Sequence, residues 1–287
     1  MDIEIPGVTV GHWTDLDAQT GCTVVRLPEG TVASGEIRGG APATREFEIL
    51  DPSRVVDRLD AVVLSGGSAF GLAAADGVVA ALEAEGQGFP TAAGIVPIVV
   101  GMSLYDLGVG SAVVRPDADS GRKAFGVATP DPAEGRVGAG TGATVGKWRG
   151  PEHVQTAGLG IRVVRSADLV VTAIVAVNAA GDIDDGTTMG AVKAGELLWH
   201  RREQFGNTTI GVVVTNARLT KADCLTVAQG AHDGLARVIV PPHMRTDGDG
   251  FVAAATGVVE AEIDHVRLLA VGAVEQAIRA GVGTLDQ

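Results

Sequence analysis

Apolar residues in this chain alternate between short β-branched runs and longer helical stripes. In the first forty residues, runs at 8–10, 22–27 and 32–37 are separated by Gly and charged residues, which predicts three strands. Residues 61–64 are continuously apolar and predict a buried strand. That run leads into Ser65-Gly66-Gly67-Ser68-Ala69-Phe70-Gly71 and then an alanine-rich helix from about Leu72 to Glu85. Residues 101–150 are punctuated by glycine and predict no regular element. Two Val/Ile-rich runs, 154–164 and 168–178, flank a short polar turn and predict a hairpin. Residues 191–205 read as an amphipathic helix or a linker, ending in an exposed polar patch over 201–206.

The last third is more regular. Residues 208–215 predict a strand. Thr220 with Asp223 three positions on approximates a capping box for a helix reaching about Val238, and Pro241-Pro242 stops it. Residues 250–255 predict another strand. Ile263, Val266, Leu269, Ala270, Ala273, Val274, Ala277 and Ile278 form a helical stripe, which predicts a long final helix. The order of elements is not a steady β-α alternation. It fits an α/β class fold of two sheets packed face to face with helices outside, better than a doubly wound parallel sheet. No internal repeat, low-complexity segment or composition shift divides the chain, so one domain over 1–287 is expected.

Composition narrows the picture. Hydrophobic residues are 46% and aromatics only 3%, with 41 glycines, so the core is aliphatic and its layers can approach closely. A net charge of −13 argues against nucleic acid or an anionic membrane as the main partner, since both need a basic surface. Cys22 and Cys224 are far apart and in no metal spacing, as expected of reduced, packing cysteines. The first residues lack a signal pattern, and no stretch of about 20 uninterrupted apolar residues predicts a membrane span. A cytoplasmic protein is the expectation.

The chemistry concentrates at Asn207-Thr208-Thr209, at the head of an apolar run. If the bond before Thr208 breaks, one residue supplies both a hydroxyl nucleophile and an α-amine base. Asn and Thr are also ordinary strand-opening and turn residues. The same triplet fits the N-glycosylation pattern, which would need a secreted chain. The N–H groups of Gly66 and Gly67, in a turn between strand and helix, could bind an oxyanion or simply form a tight turn; both readings stay open. Thr141-Gly142-Ala143-Thr144-Val145-Gly146-Lys147-Trp148 lacks the first glycine and the last hydroxyl of a phosphate loop. Gly138-Ala139-Gly140-Thr141-Gly142-Ala143 mimics a dinucleotide turn without a leading strand. Asp182-Ile183-Asp184-Asp185 and Asp247-Gly248-Asp249 read as Asx turns, not calcium loops, and no histidine pair has zinc-hydrolase spacing. No metal or cofactor is expected.

Five segments together resemble a known family: Leu64-Ser65-Gly66-Gly67-Ser68-Ala69-Phe70-Gly71-Leu72, Gly140-Thr141-Gly142-Ala143-Thr144-Val145-Gly146-Lys147, Asn207-Thr208-Thr209, His232-Asp233-Gly234-Leu235-Ala236-Arg237 and Asp247-Gly248-Asp249. The chain resembles the DmpA-type aminopeptidases and, more closely, the nylon-oligomer hydrolases of the same fold. The resemblance implies an N-terminal-nucleophile hydrolase in an αββα sandwich, cut by itself into 1–207 and 208–287. It implies scission of Asn207–Thr208, Thr208 as nucleophile and Asp247 and Asp249 as the acidic pair orienting it. It also implies Lys147, Asn178 and Tyr105 as groups lining the site, and a homo-oligomer, with a tetramer expected. On chemical grounds Asn178, then the Tyr105 hydroxyl, are the expected oxyanion donors, and Lys147 would keep the new amine neutral by charge repulsion. Outside the family, Lys147 would read as a surface ion pair. Small, linear, amine-bearing amides such as short peptides or ω-amino-acid oligomers are the expected substrates. Serine in place of threonine in the best-known aminopeptidase members leaves their specificity in doubt here. Two rivals remain: a silent binding protein of the same fold, and a hydrolase using Ser65 or Ser68, which lacks the usual nucleophile elbow.

Overall fold

A strand covered on both faces must be apolar at nearly every position, and two eight-residue runs of this chain meet that requirement. Leu-Val-Val-Thr-Ala-Ile-Val-Ala and Ile-Gly-Val-Val-Val-Thr-Asn-Ala are buried throughout. The computed structural model, which describes residues 2–197 and 206–283, places them side by side at the middle of a five-stranded sheet.

The strands of the two five-stranded sheets are β1 (Thr9–Asp15), β2 (Thr20–Arg26), β3 (Val32–Ile37), β4 (Thr44–Arg45), β5 (Ala61–Ser65), β6 (Val99–Ser103), β7 (Leu159–Ser166), β8 (Leu169–Ala176), β9 (Ile210–Ala217) and β10 (Gly250–Val259). The helices are α1 (Ala74–Ala84), α2 (Ala118–Gly126), α3 (Thr187–Ala194), α4 (Lys221–Ala236) and α5 (Ile263–Gly283). The first sheet has the order β1-β2-β5-β6-β4 and the second β7-β8-β9-β10-β3.

Three buried clusters define the layers. Val25, Val62, Leu64, Val100 and Met102 of the first sheet meet Ile161, Ile174, Ile210, Val212, Val214 and Val252 of the second. On the outer face of the second sheet, Val171, Ala173, Val175 and Val213 meet Val227, Ala231, Val266, Ala270, Val274 and Ala277 of α4 and α5. On the outer face of the first sheet, Val24, Ala61, Val63 and Val99 meet Ala74, Val78, Leu82, Ala124 and Phe125 of α1 and α2. Alternate residues of one strand thus serve opposite cores, as the two-residue period requires. The result is the expected αββα arrangement.

The hairpin, the capped helix and the final helix lie where the sequence predicts them. Thr220 Oγ1 accepts from Asp223 N, and the Asp223 carboxylate accepts from Thr220 N, which completes the capping box. Four details differ. The helix expected from Leu72 opens with a 3₁₀ stretch, Ser68–Ala73, before α1 begins. β3 lies apart from the two strands that precede it in the chain and edges the second sheet against β10. The glycine-punctuated stretch carries α2, capped by Asp117, whose side chain accepts from Ser120 N. Finally, α3 starts at Thr187, because the carboxylate of Asp184 accepts from Thr188 N at 2.9 Å and Met189 N at 3.3 Å. The rest of the predicted 191–205 element lies outside the described residues from 198 onward. Among the described residues no helix is long and apolar enough to cross a membrane.

Candidate active site

Strand register brings distant residues to Thr208. In the parallel pair of β9 and β10, Ile210 lies opposite Gly250, so the residues just before each strand also lie side by side. Asn207 and Asp247 form a bridge, Gly248 N donates to Asn207 O at 3.2 Å, and Gly250 N donates to Thr209 O at 3.1 Å. In the antiparallel pair of β8 and β9, Ala176 lies opposite Ile210. Two residues further, Asn178 O accepts the Thr208 N–H at 2.7 Å. The Asp247–Asp249 segment and Asn178 therefore flank Thr208 from its two neighbouring strands.

The peptide bond between Asn207 and Thr208 is buried; the two residues are 5% and 4% exposed. The Thr208 hydroxyl folds back onto Asn207 O, the carbonyl of the bond expected to break. The same oxygen accepts the Gly248 N–H. In the uncut chain Asn178 Nδ2 donates to Tyr105 O at 3.0 Å and to Gly206 O at 3.4 Å, one carbonyl further upstream. Tyr105 contributes that main-chain oxygen and a ring face; a Cβ built on Gly206 would stand 3.3 Å from the ring.

The two aspartates act through the backbone. Asp249 Oδ1 accepts Thr209 N at 2.7 Å, and Asp247 accepts Ala180 N at 3.2 Å and Met244 N at 2.7 Å. In the uncut chain their carboxylates thus fix the loop and strand around the threonine. Burial and the neighbouring Asp249 charge push the Asp247 carboxyl above its usual range. His243, which the sequence analysis did not single out, hydrogen-bonds Asp249 Oδ2 through Nδ1 at 2.9 Å. Its ring stands edge-on to buried His232, 4.9 Å between centroids. Nothing in its local spacing signals this, because the contact depends on the turn at residues 241–249.

Lys147 is not a surface ion pair. Its ammonium donates to Asn178 Oδ1 at 2.8 Å, Gly206 O at 3.0 Å and Asn178 O at 3.2 Å. Part of the residue's surface stays open, yet the ammonium is enclosed by protein, and that burial pulls it down to about 7. Asp247, Asp249 and Asp106 pull the other way without cancelling it. Asp106 is a second group the sequence did not reveal. It accepts from Thr20 Oγ1 and Gly67 N, both at 2.7 Å. Gly66 N is also engaged, on Gly21 O at 2.8 Å. The glycine turn therefore spends its N–H groups on the fold, and the oxyanion reading of Gly66 and Gly67 does not stand. Asp182 likewise is structural, holding Trp148 Nε1 at 2.9 Å and Arg149 at 3.0 Å.

A buried peptide carbonyl, gripped by an N–H donor and approached by the hydroxyl of the next residue, is suited to acyl transfer. Comparison with known proteins agrees. The profile of peptidase family S58 matches residues 3–287. An uncharacterized aminopeptidase of Mycobacterium tuberculosis is 40% identical over 89% of this chain and 81% of its own length. A 6-aminohexanoate-oligomer endohydrolase of Kocuria sp. is 30% identical over 91% of this chain and 76% of its own. The fold matches the L-aminopeptidase D-Ala-esterase/amidase of Ochrobactrum anthropi, described as a variant of the Ntn hydrolase fold. The TM-score is 0.75 at 20% identity, covering 98% of this chain and 85% of that one.

Proposed function

The chain belongs to peptidase family S58 and is a hydrolase of amide bonds in small substrates, and on that premise we propose that it cuts itself between Asn207 and Thr208 and then uses Thr208 as its nucleophile. The observation that carries this reading is the Asn207 carbonyl held between the Thr208 hydroxyl and the Gly248 N–H. In the first step Thr208 Oγ1 bonds to the Asn207 carbonyl carbon, and negative charge on Asn207 O meets the Gly248 N–H. One such donor contributes roughly 3–4 kcal/mol to a transition state. The C–N bond then breaks, Thr208 N takes up the hydroxyl proton, and water hydrolyses the ester.

The freed amine inherits the place of the amide nitrogen, on Asn178 O beside the Lys147 ammonium. Two positive charges there disfavour each other, so one of the two nitrogens stays neutral near pH 7 and can take the hydroxyl proton during turnover. Asp249 and Asp247 hold Thr209 and the Gly248 loop in place. Small linear amides, short peptides or ω-amino-acid oligomers, are the substrates this reading supports, with no metal or cofactor in any step. The buried free cysteines agree with a cytoplasmic setting. A tetramer is proposed as the assembly.

The test combines intact mass with activity. Wild-type protein should give fragments of about 21 and 8 kDa from a 29.1 kDa chain, and Thr208→Ala a single uncut chain. Cleaved protein should turn over an anilide or oligomer from a panel of p-nitroanilides, short peptides and aminohexanoate oligomers, equally with and without chelator. Activity from protein that remains full length would overturn the mechanism, and loss on chelation would overturn the metal-free chemistry.

A further inference from the structure

The turn at residues 243–249 carries two groups of the proposed reaction, Asp247 and the Gly248 N–H, and one residue that the reaction leaves unused. His243 opens this turn with φ of +50°, in the left-handed region that a non-glycine residue occupies where its surroundings hold it there. Its Nδ1 hydrogen-bonds Asp249 Oδ2 at 2.9 Å and so closes the turn from its first residue to its last. Its Nε2 is buried with no partner among the described residues. A proton on Nε2 would be a buried donor without an acceptor, so the ring's proton belongs on Nδ1, pointing at Asp249.

The ring is braced from behind. His232 of α4 meets it edge-on at 4.9 Å between centroids, and Phe251 of β10 meets His232 in the same way at 5.0 Å. His232 Nε2 donates to Glu36 O at 3.0 Å, and burial pulls its imidazole down to about 4, so it packs as a neutral ring. His232 opens one of the five segments that marked the family resemblance, and this packing gives it a place in the support of the site.

Asp249 is held at both oxygens. Oδ2 takes the His243 N–H, and Oδ1 takes the Thr209 N–H at 2.7 Å. A carboxylate fixed at one oxygen cannot turn the other away from its partner. The Thr209 N–H belongs to the peptide plane that follows Thr208, so its direction sets how the Thr208 side chain leaves the strand. Within the closed turn, Met244 N donates to Asp247 Oδ2 at 2.7 Å and Asp247 N to Met244 O at 2.9 Å. The same closure therefore places Gly248 N against Asn207 O.

We propose that His243 is a positioning residue for the hydrolase: through Asp249 it aims the Thr208 hydroxyl, and by closing the 243–249 turn it aims the Gly248 N–H at the reacting carbonyl. The proposal rests on the Thr208 reading above and deepens it. The imidazole touches neither the reacting carbon nor Thr208, so its effect passes through Asp249 and the turn. The donor at Nδ1 is the working part, and the rest of the ring serves to hold it.

The experiment compares wild type with His243→Ala, His243→Gly and His243→Asn. The first two remove the donor, one with and one without the cost of positive φ. Asparagine tolerates that φ and puts a side-chain N–H close to where Nδ1 stood, while removing the same ring. Intact mass against time should show self-cleavage slowed at least about tenfold in His243→Ala and His243→Gly, since a small misplacement of reacting groups can cost about a hundredfold. His243→Asn should recover most of that loss. After incubation to full cleavage, turnover of a p-nitroanilide or aminohexanoate oligomer should show the same order in kcat, with KM little changed. Wild-type rates in His243→Gly, or His243→Asn as slow as the donorless variants, overturns the proposal. Loss of the cooperative urea transition in both donorless variants would make the contact purely structural and overturns it too. If wild-type protein never cuts itself, the Thr208 reading fails on that result, and crystal structures decide the inference. Asp249 Oδ1 should then leave Thr209 N in His243→Gly and stay on it in His243→Asn; an unmoved Asp249 in His243→Gly overturns the positioning role.

Discussion

A methyl group added at residue 248 would stand 2.7 Å from both Thr208 Oγ1 and the carbonyl oxygen of Ala41. Gly248 must therefore be bare for its N–H to reach Asn207 O while the threonine hydroxyl keeps its place. Gly248→Ala should stop or strongly slow self-cleavage and cost about 1–3 kcal/mol of stability from overpacking. Intact mass against time after purification reads the first effect and urea unfolding the second; cleavage at the wild-type rate would remove Gly248 from the reaction. Lys147 allows a test by pH. Its folded value of about 7 lies below its ordinary 10.5, so above pH 7 the unfolded chain binds the extra proton and stability rises with pH until 10.5. Below 7 both states are protonated and the burial penalty is constant. In an uncut Thr208→Ala background, the unfolding free energy with Lys147 minus that with Lys147→Met should thus climb between pH 8 and 10, by at least about 1 kcal/mol. A flat difference would show that the ammonium is not held in a place that resists its charge.

At the scale of elements, what the sequence revealed follows from how local each signal is. The capping box of α4 is written in Thr220 and Asp223, and the stripe of α5 in its own spacing, so both were legible. The doubly buried β8 and β9 were legible as apolar runs, and the hairpin of β7 and β8 by its turn. The partner of β3 was not, because nothing in a half-buried strand of six residues says which sheet edge it will join. The site divides the same way. Thr208, Asp247 and Asp249 carried a motif that resembled a family. The parallel pairing that brings them together adds a physical reason, since it sets the N-terminal ends of β9 and β10 side by side. Asp106 and the Gly248 N–H stayed hidden because their partners, Thr20 and Asn207, are distant in the chain, 86 residues away for Thr20, and His243 because its contact with Asp249 depends on the shape of the turn between them. Gly66 and Gly67 misled for the converse reason: a turn's free N–H groups are countable in a sequence, but the acceptors that take them are not.

For the molecule as a whole, the position of the proposed cut decides whether the two products can part. The sheet order β7-β8-β9-β10-β3 places the two strands after residue 208 between strands that precede it on both sides. β9 pairs with β8 through six residues, from Ile210 opposite Ala176 to Thr215 opposite Val171, and β10 pairs with β3 through six more. The helices that follow the cut, α4 and α5, cover the outer face of the same sheet, with Val171, Ala173 and Val175 of the preceding fragment in their core. Separating the products would expose that core and break both ladders, so cleavage should leave one folded body. Cleaved wild-type protein should elute from size exclusion as a single peak containing both polypeptides, and light scattering on that peak should give four copies of the pair. In strong denaturant the fragments should separate, and neither alone should regain a cooperative unfolding transition on dilution, because each holds only part of the central sheet. Two peaks under native conditions would contradict the interleaved sheet as the holding force. A mass equal to one pair would remove the tetramer while leaving the interleaving intact.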